Sequence, residues 1–460
     1  MEPEPKPAAI VDSREPLFSV PEMLNYYLAL SRSVRTILIK PNWVRHEEDD
    51  NFPIRALVTS TQLIEAVVEA CLVKYPEVEE ITVGDVPLQG CDWSKLIRQA
   101  GIDRLVQKYK SRESPRIRFV DLRRELAVVT DGFIRKIPNA AGGDPKGYRE
   151  VILDQESFLD PISEDEKAFR VSDYSPEKTE SSHMRGSHRY LIAASALDCD
   201  LFINLPKAKT HQKSGLTGAL KNLVGINGEK AYLVHYRESG NGRRGDEFPP
   251  NVPVAVVLQS RIREAMQGRS RALFSVLRRG WKVLKHVTGI KTEGTRENLA
   301  DCNGRFFTSA GSWHGNDTVW RMVYDLNRII RCAPREGGRL ATTPQREYIA
   351  IADGIIAGEG NGPLQPLPVE LGILLASRDP FLLDSVMAQI MGLSCEKIPL
   401  LHHRREFADP EWGAFDASEV EIRCNGEVYR GIENLPVLHH FLPPPGWKGE
   451  IELEQREVLT

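Results

Sequence analysis

The feature that most constrains the fold is a run of unbroken apolar strands separated by helices. Strands are predicted at 34–40, 81–85 and 116–122, and helices are predicted between them at 60–75 and 93–109. Strands without polar alternation are buried on both faces, and a β-α-β-α-β order lets such strands run parallel in one sheet. The N-terminal part of the chain therefore predicts a parallel sheet with helices packed on both of its faces.

The pattern resumes after a polar stretch at 123–187, for which an edge hairpin and a long loop are predicted. Apolar strands follow at 201–206, 348–354 and 371–377. The helices predicted in this part are 190–198, 215–226, 253–288, 317–333 and 381–392. We expect an α/β fold with a mostly parallel sheet, helices on both faces and two lobes around a cleft.

At 460 residues the chain is longer than one small domain, so several parts are expected. These parts are an N-terminal arm (1–33), a first α/β lobe with a Lys/His anion-binding loop (34–252), a basic helical insertion (253–312), a second α/β part with a Gly-rich loop (313–400) and a C-terminal extension (401–460). The pattern does not indicate an oligomeric state.

Charge and cysteine usage exclude several classes of function. The formal net charge is -4, so the chain as a whole lacks the positive charge typical of a nucleic-acid-binding protein. The seven cysteines are scattered without the C-x-x-C spacing of a metal site, so we expect no iron–sulfur cluster. Dispersed cysteines are typical of a reducing compartment, and there is no apolar run long enough to span a membrane. We expect a cytoplasmic protein without a signal peptide.

Polar side chains follow five of the predicted strands at the point where each strand ends. If the strands are parallel, these ends share one edge of the sheet, which is where ligands bind in open α/β folds. An Asp or Asn after a strand can also be a simple turn former or helix cap, so it is the coincidence across strands that favours a site. The residues concerned are Lys40, Asn42, Asp85, Lys207, Lys209, His211, Asp353, Ser377 and Asp379.

The segment PKAKTHQKSGLTGALKN carries the sharpest signal. Its basic residues Lys207, Lys209, His211 and Lys213 occupy alternate positions, so an extended chain places them on one side. Cations this close together repel one another unless an anion lies among them. The segment therefore predicts an anion site, with a solvated basic loop as the alternative.

A helix is predicted to follow directly, opened by Gly215 and Gly218. Unpaired N–H groups at a helix N-terminus are suited to cradle a phosphate or carboxylate. Thr217 and Lys221 are four residues apart, which predicts that they share one face of this helix. The segment lacks the GxxxxGK[ST] pattern of a Walker loop, so a nucleotide site of that kind is not predicted.

A second segment, DGIIAGEGNGP at 353–363, has three alternate glycines and is predicted to be a loop. Glu359 lies between two of them, where a loop would present its carboxylate to a ligand or a divalent metal ion. A tight structural loop explains the same pattern. The Rossmann fingerprint is not favoured, because Pro363 ends the run and no helix opens there.

A third segment, 261–291, is predicted to be a strongly basic helix with an apolar face. Helices of this kind contact membrane surfaces or anionic partners. The alternative is an amphipathic helix that packs on the protein and exposes its basic face to solvent.

Together, IKPNWV, TVGD, LFINLPKAKTHQKSGLTGALKNLVGINGEK, GNDTVWRMVYDLNR, IADGIIAGEGNGP and SRDPFLLDSVMAQIMG resemble the domain of unknown function 362 family over roughly 35–400. No general reaction comes with that resemblance. Many members carry a ferredoxin-like cysteine cluster, which this chain lacks, and the long form seen here resembles members found among surface-glycan genes. The resemblance implies a role for Asn42, Asp85, Pro206, Lys207, Lys209, Thr210, His211, Gly218, Lys221, Asn222, Asp353, Gly354, Glu359, Gly360, Asp379 and Asp384.

The leading hypothesis is an enzyme that acts on a phosphorylated or carboxylated small molecule, which the glycan association suggests is sugar-derived. His211 is predicted to be the general acid/base, because an imidazole titrates near neutral pH. Asp85 and Asp353 are predicted to orient it, and they or Glu359 to hold a divalent metal ion. The predicted substrate-binding residues are Asn42, Lys207, Lys209, Thr210, Thr217, Lys221 and Asn222.

Two other classes of function remain open from the sequence. A non-catalytic scaffold would hold an anionic glycan-lipid in the same cradle and touch the membrane surface through residues 261–291. A redox protein is less favoured, since no cysteine cluster is present. The cofactor and the reaction are not indicated by the sequence.

Overall fold

The largest element of the fold is an eleven-stranded mixed sheet. The computed structural model describes residues 9–12, 19–27, 33–130, 133–139, 142–171, 176–239, 245–250, 252, 257 and 310–454. Its strands are β1 (Ala9–Asp12), β2 (Thr36–Pro41), β3 (Glu80–Asp85), β4 (Arg116–Asp121), β5 (Glu125–Thr130), β6 (Phe133–Pro138), β7 (Tyr148–Ile152), β8 (Phe169–Arg170), β9 (His183–Met184), β10 (Ser187–Ala193), β11 (Leu201–Leu205), β12 (Lys207–His211), β13 (Gly215–Thr217), β14 (Tyr236–Arg237), β15 (Gly338–Arg339), β16 (Glu347–Asn361), β17 (Gln365–Ser377), β18 (Glu421–Cys424) and β19 (Glu427–Arg430).

Helices fill the connections between these strands. They are α1 (Val20–Tyr27), α2 (Ile54–Leu57), α3 (Thr61–Lys74), α4 (Trp93–Gln99), α5 (Ile102–Tyr109), α6 (Pro176–Ser182), α7 (Ala194–Asp198), α8 (Ala219–Asn222), α9 (Val319–Cys332), α10 (Pro380–Ile390) and α11 (Pro399–His402). In the described residues, no helix is both long and apolar enough to cross a membrane.

The sheet has the order β19-β18-β1-β17-β16-β11-β2-β3-β4. The five strands β16, β11, β2, β3 and β4 are parallel to one another, as the apolar strand pattern predicts. The long β17 then pairs antiparallel with β16 and with β1, and β12 continues alongside the outer half of β16 with β13 as its antiparallel partner. The expected α/β fold with a mostly parallel central sheet is confirmed.

The two faces of the sheet bury separate cores. Ile37 and Ile39 of β2 belong to a cluster with α1, α3, α4 and α5 on one face. Leu38, between them, belongs to the cluster with α8, α9 and α10 on the other face. Successive side chains of a strand point to opposite faces, so a strand buried on both faces must be apolar at every position. This explains the unbroken apolar runs in the sequence.

The predicted helix at 190–198 is wrong in its first half. Residues 187–193 form β10, which pairs antiparallel with β7, and only the last five residues are helical. The segment predicted as an edge hairpin and a long loop therefore contains the partner strand, β7, as well as the β5–β6 hairpin. A short apolar run does not distinguish a strand from a helix unless its partner is known.

The predicted helix at 215–226 is wrong over its first four residues, and only 219–222 are α-helical. Gly215, at φ +80°, starts the short β13, and Leu216 pairs with Thr210. Gly218 is extended, and helix α8 is four residues long before it tightens into a 3-10 turn. The two glycines that predicted a helix start instead allow a hairpin between β12 and β13.

The predicted Gly-rich loop at 353–363 is mostly strand. Residues 353–361 form the outer half of β16, and their pairing with β17 extends as far as Asn361 and Gln365. Only the short turn 362–364 joins the two strands. The partner segment 365–370 contains Pro366 and Pro368, which are unfavourable within a sheet, so the sequence predicts no strand there.

The domain boundaries remain a prediction. Strands from the first α/β lobe and from the second α/β part pair with each other, because β11 lies beside β16. The basic helix predicted at 261–291 lies outside the described residues. The same holds for the helix predicted at 253–288, apart from Val257.

Candidate functional site

A cavity of about 470 Å³ lies at the carboxyl ends of β2 and β3. Its walls are formed by the segment after β2, the loop after β3, the β12–β13 hairpin, α8 and the chain that follows α8. A cavity of this size fits a small metabolite. The edge of the sheet that the sequence predicts as a ligand site is thus concave and lined by several of the predicted residues.

The cavity wall carries more basic than acidic side chains. Three of its basic residues have carboxylates within ion-pair distance: Lys40 is close to Asp85, Arg45 to Glu48, and Lys136 to Glu125 and Glu229. The other basic side chains of the wall are Lys213, Lys221, Lys230, His211 and His235. A concave, electropositive site of this kind favours the binding of anions.

Asp85 and Lys40 form a saturated ion pair at the base of the cavity. Asp85 accepts hydrogen bonds from Lys40 Nζ at 2.8 Å and from the backbone N–H groups of Trp43 and Val86. Lys40 also donates to its neighbour's carbonyl and to Asn222. A Cβ at Gly225 would lie 1.9 Å from the Asp85 carboxylate, so glycine is required there. Asp85 is placed to hold Lys40 and does not contact His211.

Lys207 and Lys209 lie beneath the cavity and do not line it. Lys207 is 1% exposed, and its Nζ atom lies 3.0 Å from the carboxylate of Asp353. Asp353 also accepts from the backbone N–H of Ser60 at 2.7 Å. Lys209 is fully buried and donates to Asn42 and to a backbone carbonyl. The partners of these two lysines are therefore groups of the protein itself, a carboxylate for Lys207 and neutral oxygen atoms for Lys209.

The asparagine side chains connect this buried layer with the cavity. Asn42 Nδ2 donates to Asn222 Oδ1 at 2.9 Å, and Asn222 Nδ2 donates to Asn204 Oδ1 at 2.7 Å. Asn42 also accepts from Lys209. Both Asn42 and Asn222 line the cavity, so the network fixes the position of the wall from below.

The two histidines of the cavity have opposite tautomers. Nδ1 of His211 accepts a hydrogen bond from the backbone N–H of Lys213 at 3.0 Å, so the neutral ring carries its proton on Nε2. Nδ1 of His235 lies 2.8 Å from the carbonyl of Leu233 and must donate, so its Nε2 has a free lone pair. In the described part of the chain, neither Nε2 atom has a hydrogen-bond partner.

Both imidazoles are neutral at physiological pH. Burial lowers the pKa of His211 well below its usual range, and the nearby Lys221 lowers it further. The same two causes lower the pKa of His235. His211 thus presents a hydrogen-bond donor to the cavity, and His235 presents a base.

Lys221 is a buried cation without a partner. It is 6% exposed, and among the described residues no acceptor lies within hydrogen-bond or ion-pair distance of its Nζ atom. Burial, followed by repulsion from Lys230 and Lys213, lowers the pKa of Lys221 to about 7. Lys230 donates to the carbonyl of Val86 at 3.0 Å, and burial lowers its pKa to about 8. These two lysines are the strongest electrostatic signal in the site.

The expectation that the N-terminus of α8 cradles a ligand is wrong. The carboxylate of Asp384, on α10, accepts from the N–H groups of Ala219 at 2.6 Å and Leu220 at 3.0 Å. A Cβ at Gly218 would overlap this carboxylate. The first turn of α8 is therefore occupied by the protein's own anion, as is usual for a buried helix end.

The two threonines have different surroundings. Thr210 is fully buried and donates to the carbonyl of Gly360 at 2.9 Å, which leaves it outside the cavity wall. Thr217 lines the cavity, but it belongs to β13 and so does not share a helix face with Lys221. Its hydroxyl is buried without a hydrogen-bond partner.

Glu359 faces away from the cavity wall. Its carboxylate accepts from the backbone N–H of Leu442 at 3.0 Å and lies 3.4 Å from His439. Within the ranges that the structure describes, no group of three or more His, Cys, Asp and Glu side chains is arranged to hold a metal ion. A metal role for Glu359 remains a prediction without support from its surroundings.

The structure thus divides the predicted site residues into two groups. The cavity wall contains Asn42, Asp85, His211, Thr217, Lys221 and Asn222. The buried layer or other surroundings contain Lys207, Lys209, Thr210, Asp353 and Glu359. Neither Asp85 nor Asp353 contacts His211, because both carboxylates are held by a lysine and by backbone N–H groups.

Sequence reasoning missed Lys230 and His235 as site residues. Both belong to 228–250, a polar stretch long enough to indicate function but without a motif. The signal that was available is KAYLVH, in which apolar residues separate a lysine from a histidine. A lysine is rarely buried unless its charge has a partner or a role in the fold, so the burial of Lys230 indicates such a role.

Three comparisons place this chain among known proteins. A stretch of 53 residues is 47% identical to a thylakoid-associated protein of Synechocystis sp.. That stretch covers 12% of this chain and 16% of the cyanobacterial protein, so the match spans about a sixth of that relative's length. A crystal structure of a protein from Thermotoga maritima superposes with a TM-score of 0.33 at 9% identity, over 76% of this chain and 52% of that one.

The family model described as "Domain of unknown function (DUF362)" matches residues 151–389, which is more than half of the chain. The matched region contains β12, α8, α9, β16 and most of α10. It includes the basic segment and both cavity histidines. The chain therefore belongs to the DUF362 family.

Proposed function

We propose that the protein is an enzyme that binds a small organic anion, a phosphate or carboxylate, in the 470 Å³ cavity and transfers a proton on it. The observation that carries this proposal is the unpartnered ammonium of Lys221 in the wall, beside two imidazoles whose Nε2 atoms have no partner in the described chain. A buried cation without a counter-ion is costly, and a bound anion supplies the missing partner.

Lys221 and Lys230 are the proposed anion ligands, with His211 as a neutral hydrogen-bond donor. His235 is the proposed general base, because its Nε2 lone pair is available at neutral pH. The sequence predicts that His211 is the general acid/base, whereas the hydrogen bond that its Nδ1 accepts supports donation from Nε2. Lys207 and Lys209 support the wall from below, since neither lines it.

Anion binding is tested by calorimetric titration of the full chain with sulfate and with phosphate. Lys221→Met is expected to weaken binding at least about tenfold, since one close charge pair is lost. Lys110→Met is the matched control, because Lys110 is an exposed lysine remote from the wall, and it should bind as the wild type does. Equal binding by the wild type and Lys221→Met would refute the site.

Catalysis is tested by incubating the protein in D₂O with a panel of phosphorylated and carboxylated metabolites, sugar phosphates included. Deuterium uptake or a new product is followed by NMR spectroscopy. His235→Gln and His211→Ala should each lower turnover by roughly 10²–10⁴-fold. Full turnover in either variant would remove that histidine from the mechanism, and the absence of any reaction on the panel would leave a binding protein.

A second candidate is anchoring of an anionic ligand at a membrane surface. Two observations favour it, the basic sequence of 261–291 and the short likeness to a protein named as thylakoid-associated. Flotation with vesicles that contain anionic lipid tests this function. Arg278→Glu combined with Arg279→Glu should abolish salt-sensitive flotation, and flotation that is unaffected by these changes would contradict it.

A further inference from the structure

Lys221 differs from the other buried lysines of the described chain. Five lysines are buried, and four of them donate to an oxygen atom of the protein: Lys40, Lys207, Lys209 and Lys230. Lys221 has no such acceptor and faces the cavity. A buried lysine whose role is only electrostatic would be more stable with a carboxylate or carbonyl beside it. The absence of an acceptor therefore points to a chemical role for the amine nitrogen.

We infer that Lys221 Nζ forms a covalent imine with an aldehyde or ketone carbonyl of the anionic substrate. This inference rests on the proposed function, since it requires the substrate to bind in the same cavity. It narrows the substrate class to phosphorylated or carboxylated aldehydes and ketones. Lysine is the residue that forms such bonds with carbonyl substrates, provided that its amine is neutral.

The surroundings of Lys221 keep a large share of the amine neutral. Burial is the largest cause of the lowered pKa of Lys221, and the positive charges of Lys230, Lys213 and Lys40 lower it further. Together they lower this pKa from 10.5 to about 7. At pH 7 about half of such amines are neutral, compared with roughly one in a thousand or fewer for an exposed lysine. The arrangement of neighbouring cations around a desolvated lysine is a known way to activate the amine.

The two imidazoles supply the base and the hydrogen-bond donor that imine formation requires. The amine nitrogen adds to the carbonyl carbon, a C–N bond forms, and the carbonyl π electrons move to oxygen. Both amine hydrogens then pass to that oxygen, the C–O bond breaks and water leaves. His235 Nε2 is the base that carries these protons, and His211 Nε2–H donates a hydrogen bond to the developing alkoxide. One imine and one water are formed, without any oxidant or reductant.

The remaining cations of the wall have a separate task. Lys230 is held by the carbonyl of Val86, which fixes its position beside the cavity. Lys213 also lines the wall, next to the His211 ring that accepts from its backbone N–H. When the substrate has a carbonyl group, these two cations bind its phosphate or carboxylate and the neutral amine of Lys221 reacts with the carbonyl. With an anion that has no carbonyl group, such as sulfate, protonated Lys221 is itself an anion ligand, as proposed above.

The experiment is reductive trapping with sodium borohydride on the full chain at pH 7. Pyruvate and dihydroxyacetone phosphate serve as probes, and the modified lysine is located by peptide mass spectrometry. Lys221 should be labelled roughly ten- to a hundredfold more than Lys110, because its neutral fraction is larger. Excess sulfate should suppress the labelling of Lys221 and leave that of Lys110 unchanged. Labelling spread evenly over surface lysines, or directed to Lys230, would overturn the inference.

Lys221→Arg separates this inference from the proposed function. Arginine keeps a positive charge in the wall but cannot form an imine, so the variant should retain sulfate binding within about threefold and lose trapping at position 221. If the wild type binds sulfate and Lys221 is not labelled by either probe, only the imine inference fails. If the wild type binds neither sulfate nor phosphate, the proposed function fails with it.

Discussion

The buried lysines that are paired with a carboxylate and those that are not have the same chemistry and opposite surroundings. Lys207 is paired with Asp353 at 3.0 Å, and Lys40 is paired with Asp85 at 2.8 Å. Lys221 and Lys230, in the wall, have no carboxylate partner in the described chain. The difference shows that burial alone does not identify a functional lysine in this protein. The feature that distinguishes Lys221 from the other buried lysines is that the described part of the fold supplies no acceptor for it.

The largest effect is expected on the free energy of unfolding when the buried ion pair between Lys207 and Asp353 is broken. Lys207→Met leaves the carboxylate of Asp353 buried without its cation, which should lower the free energy of unfolding by about 3–5 kcal/mol. Urea denaturation measures this loss. The double variant Lys207→Met with Asp353→Leu should recover part of the stability, because neither charge is then left alone. A loss below about 1 kcal/mol in the single variant would show that the pair is not a structural support.

An intermediate effect is expected on the pH dependence of anion binding. Sulfate keeps its charge from pH 6 to 9, so any change in its affinity reports on the protein. The free Lys221 has a pKa of about 7, and a bound anion raises it, so affinity should fall as pH rises above 7 by up to about tenfold per unit from this residue. In Lys221→Met the slope should be shallower by that amount. An identical slope in both proteins would contradict the assignment.

The smallest effect is expected on the stability of the Lys221→Met variant. The folded state depresses the pKa of Lys221 from 10.5 to about 7, so between these values the unfolded chain binds more protons and the wild type gains stability as pH rises. Methionine removes the buried charge. The variant should therefore be more stable than the wild type by about 1 kcal/mol or more at pH 6. The gain should shrink towards pH 10.

Thermal unfolding at pH 6 and pH 9 checks this prediction, with Lys110→Met as the control that should change stability by less than about 0.5 kcal/mol at either pH. A Lys221→Met variant that is less stable than the wild type at pH 6 would show that Lys221 stabilises the fold, as Lys207 does in the buried layer. Lys221 and the paired lysines would then no longer differ in their contribution to stability.

The sequence predicted the framework of the sheet because each buried strand carries its own signal. Ile37, Leu38 and Ile39 alternate between the two cores, and a short run of β-branched and other apolar residues is typical of a strand covered on both faces. Ser60 likewise marks the start of α3, where its side chain accepts from the N–H of Leu63. Local chemistry of this kind is visible without knowledge of the rest of the fold.

The errors occur where a distant partner decides the local structure. Residues 353–361 are strand because β17 pairs with them, and β10 is strand because β7 lies beside it. The candidate site follows the same rule. The residue types at the strand ends were predicted, but the sequence does not show that Asp353 neutralises Lys207 or that Asp384 occupies the start of α8. Pairings between residues 146 and 165 positions apart leave no periodic signal.

The capping of α8 by Asp384 has a consequence for biosynthesis. The two N–H groups that this carboxylate binds lie 165 and 164 positions earlier in the chain, on the helix that carries Lys221. During translation, the reactive amine is therefore made long before the segment that fixes its helix leaves the ribosome. A nascent or truncated chain that ends before α10 contains every residue of the cavity wall, yet it lacks the Asp384 carboxylate that anchors α8. The wall that α8 contributes can therefore reach its final position only after α10 has been synthesised and has packed against it.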